Sequence, residues 1–448
     1  MTEQDVLLVG GGAREHAMAK ALVDGGARVY SVMSNENPGV AELADDYAIG
    51  QEKHVAGIVD KARQWGCTHA LSGPEGPIAA GVTDALADAG VTVVSPSQQA
   101  GRIETDKAWM RDLMERHGIP GRVRNRHFAN QQGLREYVEE LGEVAVKPVG
   151  LTGGKGVKVT GDHLAGTEEA LEYANDVFTS GLGGGQVVIE EKLEGEEFTV
   201  QCFTDGDTVV PTPPIQDHKR AFEGDEGPNT GGMGAYSGSE GLPFLSRVDY
   251  EAAVDIVRDI VHALRDEDRP YVGPIYGQFM LTADGPRVVE VNARFGDPEA
   301  MNTLGILETP FTDVVDAMAE GTLDELEVTF EPTATVCKYV VPEGYGSDPT
   351  PDTTVEIDRE AIAETGAELF YASCEPTEGG VVTTTSRTLA LVGIADTIED
   401  ANEQAEQALS HVKGEAIDAR HDIGTEKLVQ RRVEHMRELG RPRNPESV

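Results

Sequence analysis

The sequence predicts a protein of mixed α/β and α+β class. It combines an N-terminal doubly wound parallel sheet, a central domain with a glycine-rich lid, and a small C-terminal α+β domain. Near the N-terminus, short apolar runs alternate with helix-like segments, as in parallel sheets. Glycine concentrates between two strand-like runs near residue 150, and strand patterns surround a helix pattern beyond Pro332. We expect domains at 1–100, 101–326 (lid subdomain about 121–192) and 327–432, and a frayed tail at 433–448.

Two glycine turns of the N-terminal domain follow predicted strands, and ligands of open parallel sheets bind at such strand ends. Asp5–Val9 leads into Gly10-Gly11-Gly12 and a helix, and a later strand leads into Gly73-Pro74-Glu75. A helix after a glycine turn suggests phosphate binding. The dinucleotide fingerprint fails because its third glycine position is Glu15, so a nicotinamide enzyme is disfavoured. Turns that only pack helix on strand remain the alternative, and Glu75 could be an ordinary exposed turn residue.

The central domain carries lysines before and inside a glycine loop. The strand-like run Val144–Pro148 contains Lys147, and the loop Gly150–Gly156 contains Lys155. Backbone N–H groups and two ammonium groups suit a lid over nucleotide phosphates. The loop does not match the Walker A sequence, and no helix follows it directly. A plain glycine hairpin is the alternative, but two lysines in so acidic a chain favour the lid.

A long segment without apolar periodicity occupies 216–222 and 227–237. Loops of this length in a compact domain are usually functional or disordered. Its stretch Gly-Gly-Met-Gly-Ala-Tyr, residues 231–236, lacks the Ser, Glu and Lys typical of disordered chains. We therefore expect a backbone surface that binds small polar groups.

The strand that ends at Asn292 offers oxygen ligands to a metal ion. Side chains alternate along a strand, so Glu290 and Asn292 share one face. Mg²⁺ prefers oxygen ligands and completes its shell with phosphates and water. Arg294, just past the strand, presents a planar fork to a phosphate or carboxylate. A half-exposed strand that binds no metal is the alternative.

The register of the preceding turn decides whether Gln278 is a third ligand. A two-residue turn at Asp284-Gly285 would pair Glu290 with Phe279 and direct Gln278 away from the metal face. A three-residue loop would instead pair Asn292 with Gln278 and add Gln278 to that face. The sequence leaves both registers open.

The chain is strongly acidic, with 37 basic and 79 acidic residues and a net charge of −42. This charge disfavours binding to nucleic acid or anionic membranes. No apolar run approaches the ~20 residues of a membrane span, and the N-terminus lacks the basic region of a signal peptide, so we expect a cytoplasmic protein. Because concentrated salt screens self-repulsion, we hypothesise adaptation to a high-salt cytoplasm. The four dispersed cysteines contain no Cys-x-x-Cys pair and are expected to be buried free thiols.

Four stretches together resemble the phosphoribosylamine–glycine ligase family (glycinamide ribonucleotide synthetases) of the ATP-grasp superfamily, in its monofunctional form. They are Gly12-Ala13-Arg14-Glu15-His16-Ala17, Gly73-Pro74-Glu75, Gln216–Arg220 with Gly227–Tyr236, and Asn292–Glu299. The third is highly specific, and the similarity continues to about residue 424. The resemblance implies a central ATP-grasp domain and the ATP-dependent ligation of glycine to 5-phosphoribosylamine through a glycyl phosphate. The products would be glycinamide ribonucleotide, ADP and phosphate.

The resemblance also implies site residues that act by positioning and charge neutralisation. The expected ligands of Mg²⁺ or Mn²⁺ are Glu290, Asn292 and, if the register allows, Gln278. The expected ATP contacts are Lys107, Lys147, Gly153, Gly154, Lys155, Gly156, Glu190, Glu191, Leu193 and Glu197. The expected contacts of glycine and phosphoribosylamine are Gly12, Arg14, Glu15, Gly73, Pro74, Glu75, Asp217, Lys219, Asn229, Gly231, Gly232 and Arg294. The residues expected to be catalytic are Arg294, Lys219 and Asp217.

Other functions fit the sequence less well. Another ATP-grasp carboxylate–amine ligase of purine metabolism, or a related ATP-grasp enzyme such as a purine carboxylase or a formate-dependent transformylase, would share the lid and the metal strand but not the loop Asp217–Tyr236. A non-catalytic nucleotide-binding module would tolerate loss of Glu290 and Asn292, and both are present. Relatives have a Gly-Gly pair where this chain has Thr385-Ser386-Arg387, which leaves that domain's nucleotide contact open. We expect small-molecule substrates, no nucleic-acid or membrane partner, and a monomer.

Overall fold

The computed structural model describes residues 4–153 and 156–441. The N-terminal unit alternates strands and helices as its apolar runs predict. Its elements are β1 (Asp5–Val9), α1 (Ala13–Asp24), β2 (Arg28–Met33), α2 (Pro38–Leu43), β3 (Asp46–Ile49), α3 (Val55–Trp65), β4 (His69–Ser72), α4 (Glu75–Ala80), α5 (Val82–Asp88) and β5 (Thr92–Val93).

The N-terminal strands form a parallel sheet in the order β3-β2-β1-β4-β5. Along β1, Val6 and Leu8 pack in one hydrophobic cluster and Leu7 and Val9 in another, so both faces of the sheet are covered. The strand order reverses between β1 and β4, and ligand crevices of doubly wound sheets lie at that switch point. The glycine turns that follow β1 and β4 therefore lie side by side, and the predicted fold class is confirmed.

The central unit contains two four-stranded antiparallel sheets, ordered β6-β9-β7-β8 and β11-β10-β16-β17, and the two-stranded hairpin β13–β14. The first sheet has a hydrophobic cluster of its own, which includes Phe128, Val138 and Val146. The elements are α6 (Arg102–Thr105), α7 (Lys107–Arg116), β6 (Asn125–Phe128), α8 (Leu134–Leu141), β7 (Val144–Pro148), β8 (Lys158–Val159), α9 (Thr167–Ser180), β9 (Val187–Glu191), β10 (Glu196–Thr204), β11 (Val209–Pro211), β12 (Gln216–Asp217), β13 (Arg220–Phe222), β14 (Glu226–Asn229), β15 (Gly234–Ser237), α10 (Arg247–Asp266), β16 (Gly273–Thr282), β17 (Gly285–Asn292), α11 (Glu299–Gly305) and α12 (Phe311–Glu320).

The C-terminal unit incorporates part of the long polar loop, because its main sheet runs β12-β15-β18-β23-β20. Its elements are β18 (Ala334–Pro342), β19 (Thr354–Ile357), α13 (Arg359–Glu364), β20 (Glu368–Tyr371), β21 (Cys374–Thr377), β22 (Gly380–Thr383), β23 (Leu389–Ala395), α14 (Ile398–Leu409), β24 (Val412–Lys413), β25 (Ile417–Ala419) and α15 (Glu426–Glu438). The tail expected to fray from residue 433 is thus helical as far as Glu438, and its last part, 442–448, lies outside the described residues.

The β16–β17 hairpin follows neither expected register. Thr282 pairs with Gly285, so the two-residue turn lies one position earlier than predicted. A β-bulge then leaves Val289 without a partner on β16 and places Glu290 directly opposite Gln278. Directly opposed residues share a face of the sheet. The bulge therefore brings Gln278 to the face of Glu290, by a route that turn length alone did not suggest.

In the part of the chain that the structure describes, every helix is too short or too polar to cross a membrane. All four cysteines are buried and free, as predicted.

Candidate active site

A cleft of about 340 Å³ is lined by residues of all three units. The predicted site residues in its lining are Arg14, Glu75, Lys107, Lys147, Gly153, Glu197, Asp217, Lys219, Gly231, Gln278, Glu290, Asn292 and Arg294. The predicted residues that do not line it are Gly12, Glu15, Gly73, Pro74, Gly156, Glu190, Glu191, Leu193, Asn229 and Gly232. Gly154 and Lys155, expected at the lid, lie outside the described residues.

Glu290, Asn292 and Gln278 offer oxygen atoms on one face of the hairpin β16–β17. The Asn292 amide donates to Glu290 Oε1 over 3.4 Å, and Gln278 donates to Glu197 and accepts from Lys219. Burial acts to raise the pKa of Glu290, but nearby ammonium groups outweigh it and lower the pKa to about 2. Glu290 is therefore ionised at neutral pH.

This donor set fits a magnesium ion that shares its shell with phosphates. Among the described residues, no three His, Cys, Asp or Glu side chains form a cluster that could hold a metal alone. One carboxylate and two amide oxygens form an incomplete hard-oxygen shell, and Mg²⁺ in nucleotide sites usually takes its remaining ligands from phosphate and water.

Lys147 and Lys107 lie beside this face. The Lys147 ammonium is 2.8 Å from Glu190 Oε2 and donates to the Val289 carbonyl over 2.9 Å. The Lys107 ammonium donates to the Gly150 carbonyl of the lid over 3.2 Å. Burial lowers the pKa of Lys107, and the charge of Lys147 adds to that effect, although Glu290 opposes it. Two cations thus share a small space that an anion would stabilise.

Glu190 is engaged in a buried ion triad instead of facing the cleft. Its carboxylate accepts two hydrogen bonds from Arg111, of 2.7 and 3.0 Å, besides contacting Lys147. Arg111 also donates to the Val288 and Val289 carbonyls over 2.9 Å. Glu190 on β9 therefore holds Arg111 of α7, and Arg111 in turn bonds to β17. Sequence reasoning missed Arg111, although it lies four residues after Lys107 on one helix and so shares its face.

Arg294 is held by a buried acid that sequence reasoning also missed. Its guanidinium donates to Glu104 Oε1 over 2.8 Å, and Glu104 Oε2 accepts from the Ala293 N–H over 2.7 Å. The Glu75 carboxylate lies 3.6 Å from Arg294 Nε. Burial raises the pKa of Glu104 to about 7, although Arg294 opposes this shift. The fork of Arg294 is thus fixed between acids of the N-terminal and central units.

Glu15, next to the first glycine turn of the N-terminal unit, holds Arg14 in place. Glu15 accepts from the Gly12 N–H over 2.5 Å and from Arg14 Nε over 2.6 Å. A Cβ at Gly73 would lie 1.9 Å from the Glu15 carboxylate, so this close approach requires glycine. Arg14 reaches the cleft and also donates to the Phe295 carbonyl over 3.2 Å. Of the expected substrate contacts in these turns, Arg14 and Glu75 therefore line the cleft, and Glu15 supports Arg14.

Asp217 and Lys219 reach the cleft from the end of β12. The Lys219 ammonium lies 3.9 Å from Asp217 and 3.6 Å from Glu290. Burial acts to lower the pKa of Lys219, but Glu290 and Asp217 outweigh it and raise the pKa. Burial raises the pKa of Asp217 to about 8, with contributions from Glu299, Glu197 and Glu290, although Lys219 opposes the shift. Within the described residues, Asp217 Oδ1 is buried without a hydrogen-bond partner.

Arg387 joins the C-terminal unit to the cleft. Its guanidinium donates to the Gly231 carbonyl over 2.6 Å and pairs with the Asp297 carboxylate over 2.9 Å. It also lies 4.5 Å from the centre of the Tyr339 ring, a cation–π contact. Sequence reasoning treated residues 385–387 only as a departure from relatives. The structure shows that this segment supplies a cation, Arg387, that holds the segment 227–237, called here the glycine-rich loop.

The site thus brings clustered cations, a face of three side-chain oxygen donors and buried acids into one cleft. Such a cleft can hold a polyanion beside a carboxylate and an amine.

Family models of the N domain, the ATP-grasp (A) domain and the C domain of phosphoribosylglycinamide synthetase match residues 4–104, 105–300 and 335–426.

Relatives match nearly the whole chain. The phosphoribosylamine–glycine ligase of Methanococcoides burtonii is 49% identical over 440 residues, covering 98% of this chain and 100% of the relative. That of Pyrococcus horikoshii is 46% identical over 442 residues, covering 98% and 99%. The crystal structure of the Thermotoga maritima ligase has a TM-score of 0.78 at 24% identity, covering 93% of this chain and 99% of the other. The predicted resemblance is confirmed, and the chain belongs to the phosphoribosylglycinamide synthetase (phosphoribosylamine–glycine ligase) family.

Proposed function

We propose that this chain ligates glycine to 5-phosphoribosylamine in purine biosynthesis and forms glycinamide ribonucleotide, ADP and phosphate. One observation carries the proposal. A single cleft joins the phosphate-side lysines and the Glu290 face to the Asp217–Lys219 segment and to Arg14 of the N-terminal unit. The reaction needs all of these neighbours, because a nucleotide, a carboxylate and a phosphorylated amine must meet at one point.

The ATP side of the cleft is assigned to Lys107 and Lys147 for the phosphates and to Glu290, Asn292 and Gln278 for Mg²⁺, with Mn²⁺ as the alternative ion. When bound, the metal neutralises and orients phosphate oxygens. Gly153 and the lid around it would cover the phosphates, as Lys155 is also expected to do. The strand Glu190–Leu193 is assigned to adenine and ribose through its backbone, since the Glu190 carboxylate is engaged with Arg111.

The acceptor side is assigned to Arg294, Lys219 and Asp217. The glycine carboxylate attacks the γ-phosphorus and forms the C–O–P linkage of glycyl phosphate, and ADP leaves. The amine then attacks the acyl carbon, which forms the C–N bond, breaks the C–O bond and releases phosphate. Arg294 would hold the carboxylate and then the acyl phosphate. Asp217, with a pKa of about 8, is mostly protonated at neutral pH; its ionised form, which increases as pH rises toward 8, would accept the proton that the amine loses.

Phosphoribosylamine is expected to lie between the N-terminal turns and the glycine-rich loop. Arg14 and Glu75 line the cleft from the first side, and Gly231 lines it from the second. Glu15 supports Arg14 instead of lining the cleft, so its expected effect on this substrate is indirect.

We further infer adaptation to concentrated salt, which the net charge of −42 supports.

An assay of ADP release tests the function. Release should require glycine and phosphoribosylamine together, and glycinamide ribonucleotide should accumulate in equal amount. ATP turnover without glycine, or with bicarbonate or formate in its place, would contradict the proposal. Turnover with bicarbonate or with formate would instead favour another ATP-grasp ligase of purine metabolism.

A further inference from the structure

The hairpin β13–β14 connects the acceptor segment to the C-terminal helix. It begins directly after Lys219, and its tip contains Asp225. Asp225 has a φ of +63°, a left-handed conformation that is uncommon for residues other than glycine. Such conformations persist where the surrounding contacts impose them, and they concentrate at functional sites. The contacts of Asp225 show what imposes this one.

Three arginines converge on the Asp225 carboxylate. Arg420 donates to Oδ1 over 3.0 Å, and Arg431 and Arg432 each donate to Oδ2 over 2.5 Å. Arg420 is only 1% exposed, and Arg432 also lies 3.3 Å from the Glu196 carboxylate. Arg420 and Arg432 are largely shielded from solvent and Asp225 is partly so, whereas Arg431 is exposed. Shielded, multiply bonded ion pairs are strongly affected by loss of one partner, unlike exposed surface pairs, so Arg420 and Arg432 should contribute most. The hairpin tip is therefore tied firmly to α15 and to the segment before it.

The same carboxylate reaches the back of the acceptor segment. His218 lies between Asp217 and Lys219, and its Nδ1 is 3.4 Å from Asp225 Oδ1. The His218 ring also stacks on Tyr236, with centroids 5.8 Å apart. Neighbouring side chains of an extended chain point to opposite sides. Asp225 thus contacts the side of the segment that faces away from the cleft.

The backbone that follows is held as well. Arg420 donates to the Arg220 carbonyl over 3.1 Å, and the Lys219 carbonyl accepts from the Thr230 N–H over 2.7 Å. Burial lowers the pKa of His218 to about 4, so its imidazole is neutral at pH 7. The clamp therefore does not depend on a histidine charge. The three arginines fix Asp225, and Asp225 in turn contacts His218.

We propose that Asp225 is a positioning residue for the acceptor pocket, clamped by Arg420, Arg431 and Arg432. The clamp sets the place of Asp217 and Lys219 relative to Glu290. This inference rests on the proposed function, in which those two side chains serve the acceptor substrates. Arg431 and Arg432 lie on α15, after the residues that the C-domain family model matches. The clamp thus includes residues of α15 that lie beyond the part of the chain matched by the C-domain family model.

Asp225→Asn tests the clamp, with steady-state kinetics for each substrate. We expect kcat to fall about 10- to 100-fold, as displacement of reacting groups by about 1 Å can cost. The KM for glycine should rise, and the KM for ATP should stay unchanged, because Lys107 and Lys147 lie on α7 and β7. Glu226→Gln, an exposed acid next to Asp225, is the matched control and should behave as the wild type.

A double-mutant cycle with Arg432→Gln keeps the test decisive. If both side chains act in one clamp, the double variant should lose no more activity than the worse single variant. Arg432→Gln carries the test alone if Asp225→Asn does not fold, as judged by circular dichroism. Wild-type kinetics in a folded variant, an equal rise in the KM for ATP, or additive losses would overturn the clamp. Failure of the wild type to ligate glycine would instead overturn the proposed function.

Discussion

Glu290→Gln is expected to abolish most activity and leave the fold intact. The carboxylate is the only charged group among the three side chains of the proposed metal face, since Gln278 and Asn292 are neutral. Glutamine keeps the shape and removes the charge. Loss of an outer-shell partner alone typically costs 10- to 100-fold in metal affinity. A direct charged ligand should cost more, so we expect the half-saturating Mg²⁺ concentration to rise by about 100-fold or more.

The substitution also removes one ion-pair partner of Lys219, whose ammonium lies 3.6 Å from Glu290 Oε1, while Gln278 and Asp217 stay in contact with it. At an effective dielectric constant of about 20, such a pair attracts by roughly 4 kcal/mol before desolvation is subtracted. Excess Mg²⁺ should therefore restore metal occupancy without restoring the place of Lys219. We expect kcat at saturating Mg²⁺ to remain about 10²-fold below wild type, or roughly 3 kcal/mol.

The assay is ADP release at saturating ATP, glycine and phosphoribosylamine over a series of Mg²⁺ concentrations. Glu168→Gln is a matched control, because this exposed acid of α9 pairs with Arg135 over 2.6 Å outside the cleft. It should keep the wild-type Mg²⁺ dependence. Turnover and Mg²⁺ dependence within about twofold of wild type in a folded Glu290→Gln variant would refute the metal assignment.

Four further outcomes are expected. Arg387→Met should lower kcat about tenfold through displacement of the glycine-rich loop; unchanged steady-state kinetics would contradict that role. The folded-state pKa of Asp217, about 8, lies above its ordinary 3.8, so between these pH values the folded chain holds a proton that the unfolded chain has released. Between pH 5 and 8 the wild type should therefore lose stability relative to Asp217→Asn, by about 1.4 kcal/mol per pH unit, and parallel urea-unfolding curves would refute this. Glu190→Gln leaves Arg111 and Lys147 buried with too little negative charge and should lower stability by about 3 kcal/mol, measured by urea unfolding; an unchanged midpoint would contradict the triad. Thermal stability of the purified protein should rise steeply with KCl because of its net charge of −42, whereas a flat response would exclude adaptation to salt.

Sequence reasoning succeeded where the signal is local. Apolar runs and glycine turns identified the parallel sheet, and alternation along one strand identified the shared face of Glu290 and Asn292. The register of Gln278 was not predictable, since the bulge at Val289 carries no glycine or proline to mark it. The sequence therefore predicts which side chains of one strand share a face, but the register between two strands depends on packing.

The missed residues share a different cause, which is long separation along the chain. Arg111 bonds to Glu190, 79 positions later, and Glu104 bonds to Arg294, 190 positions later. Arg387 reaches a carbonyl 156 positions earlier. A pattern search finds each residue only as an ordinary charge on a helix or loop. Their importance follows from burial, which only the folded chain shows, because a buried charge must be paired.

Under the proposed function, these pairings predict how the cleft would receive its substrates. Arg294 and Lys147 are bonded to protein carboxylates, so an incoming anion must share or replace an existing partner. Lys107 differs, because its hydrogen-bond acceptor is the Gly150 carbonyl of the lid. A phosphate is a stronger acceptor than a neutral carbonyl for an ammonium donor. Of these three cations, Lys107 therefore has the most to gain from the nucleotide, and its transfer from the lid carbonyl to a phosphate would link nucleotide binding to the position of the lid.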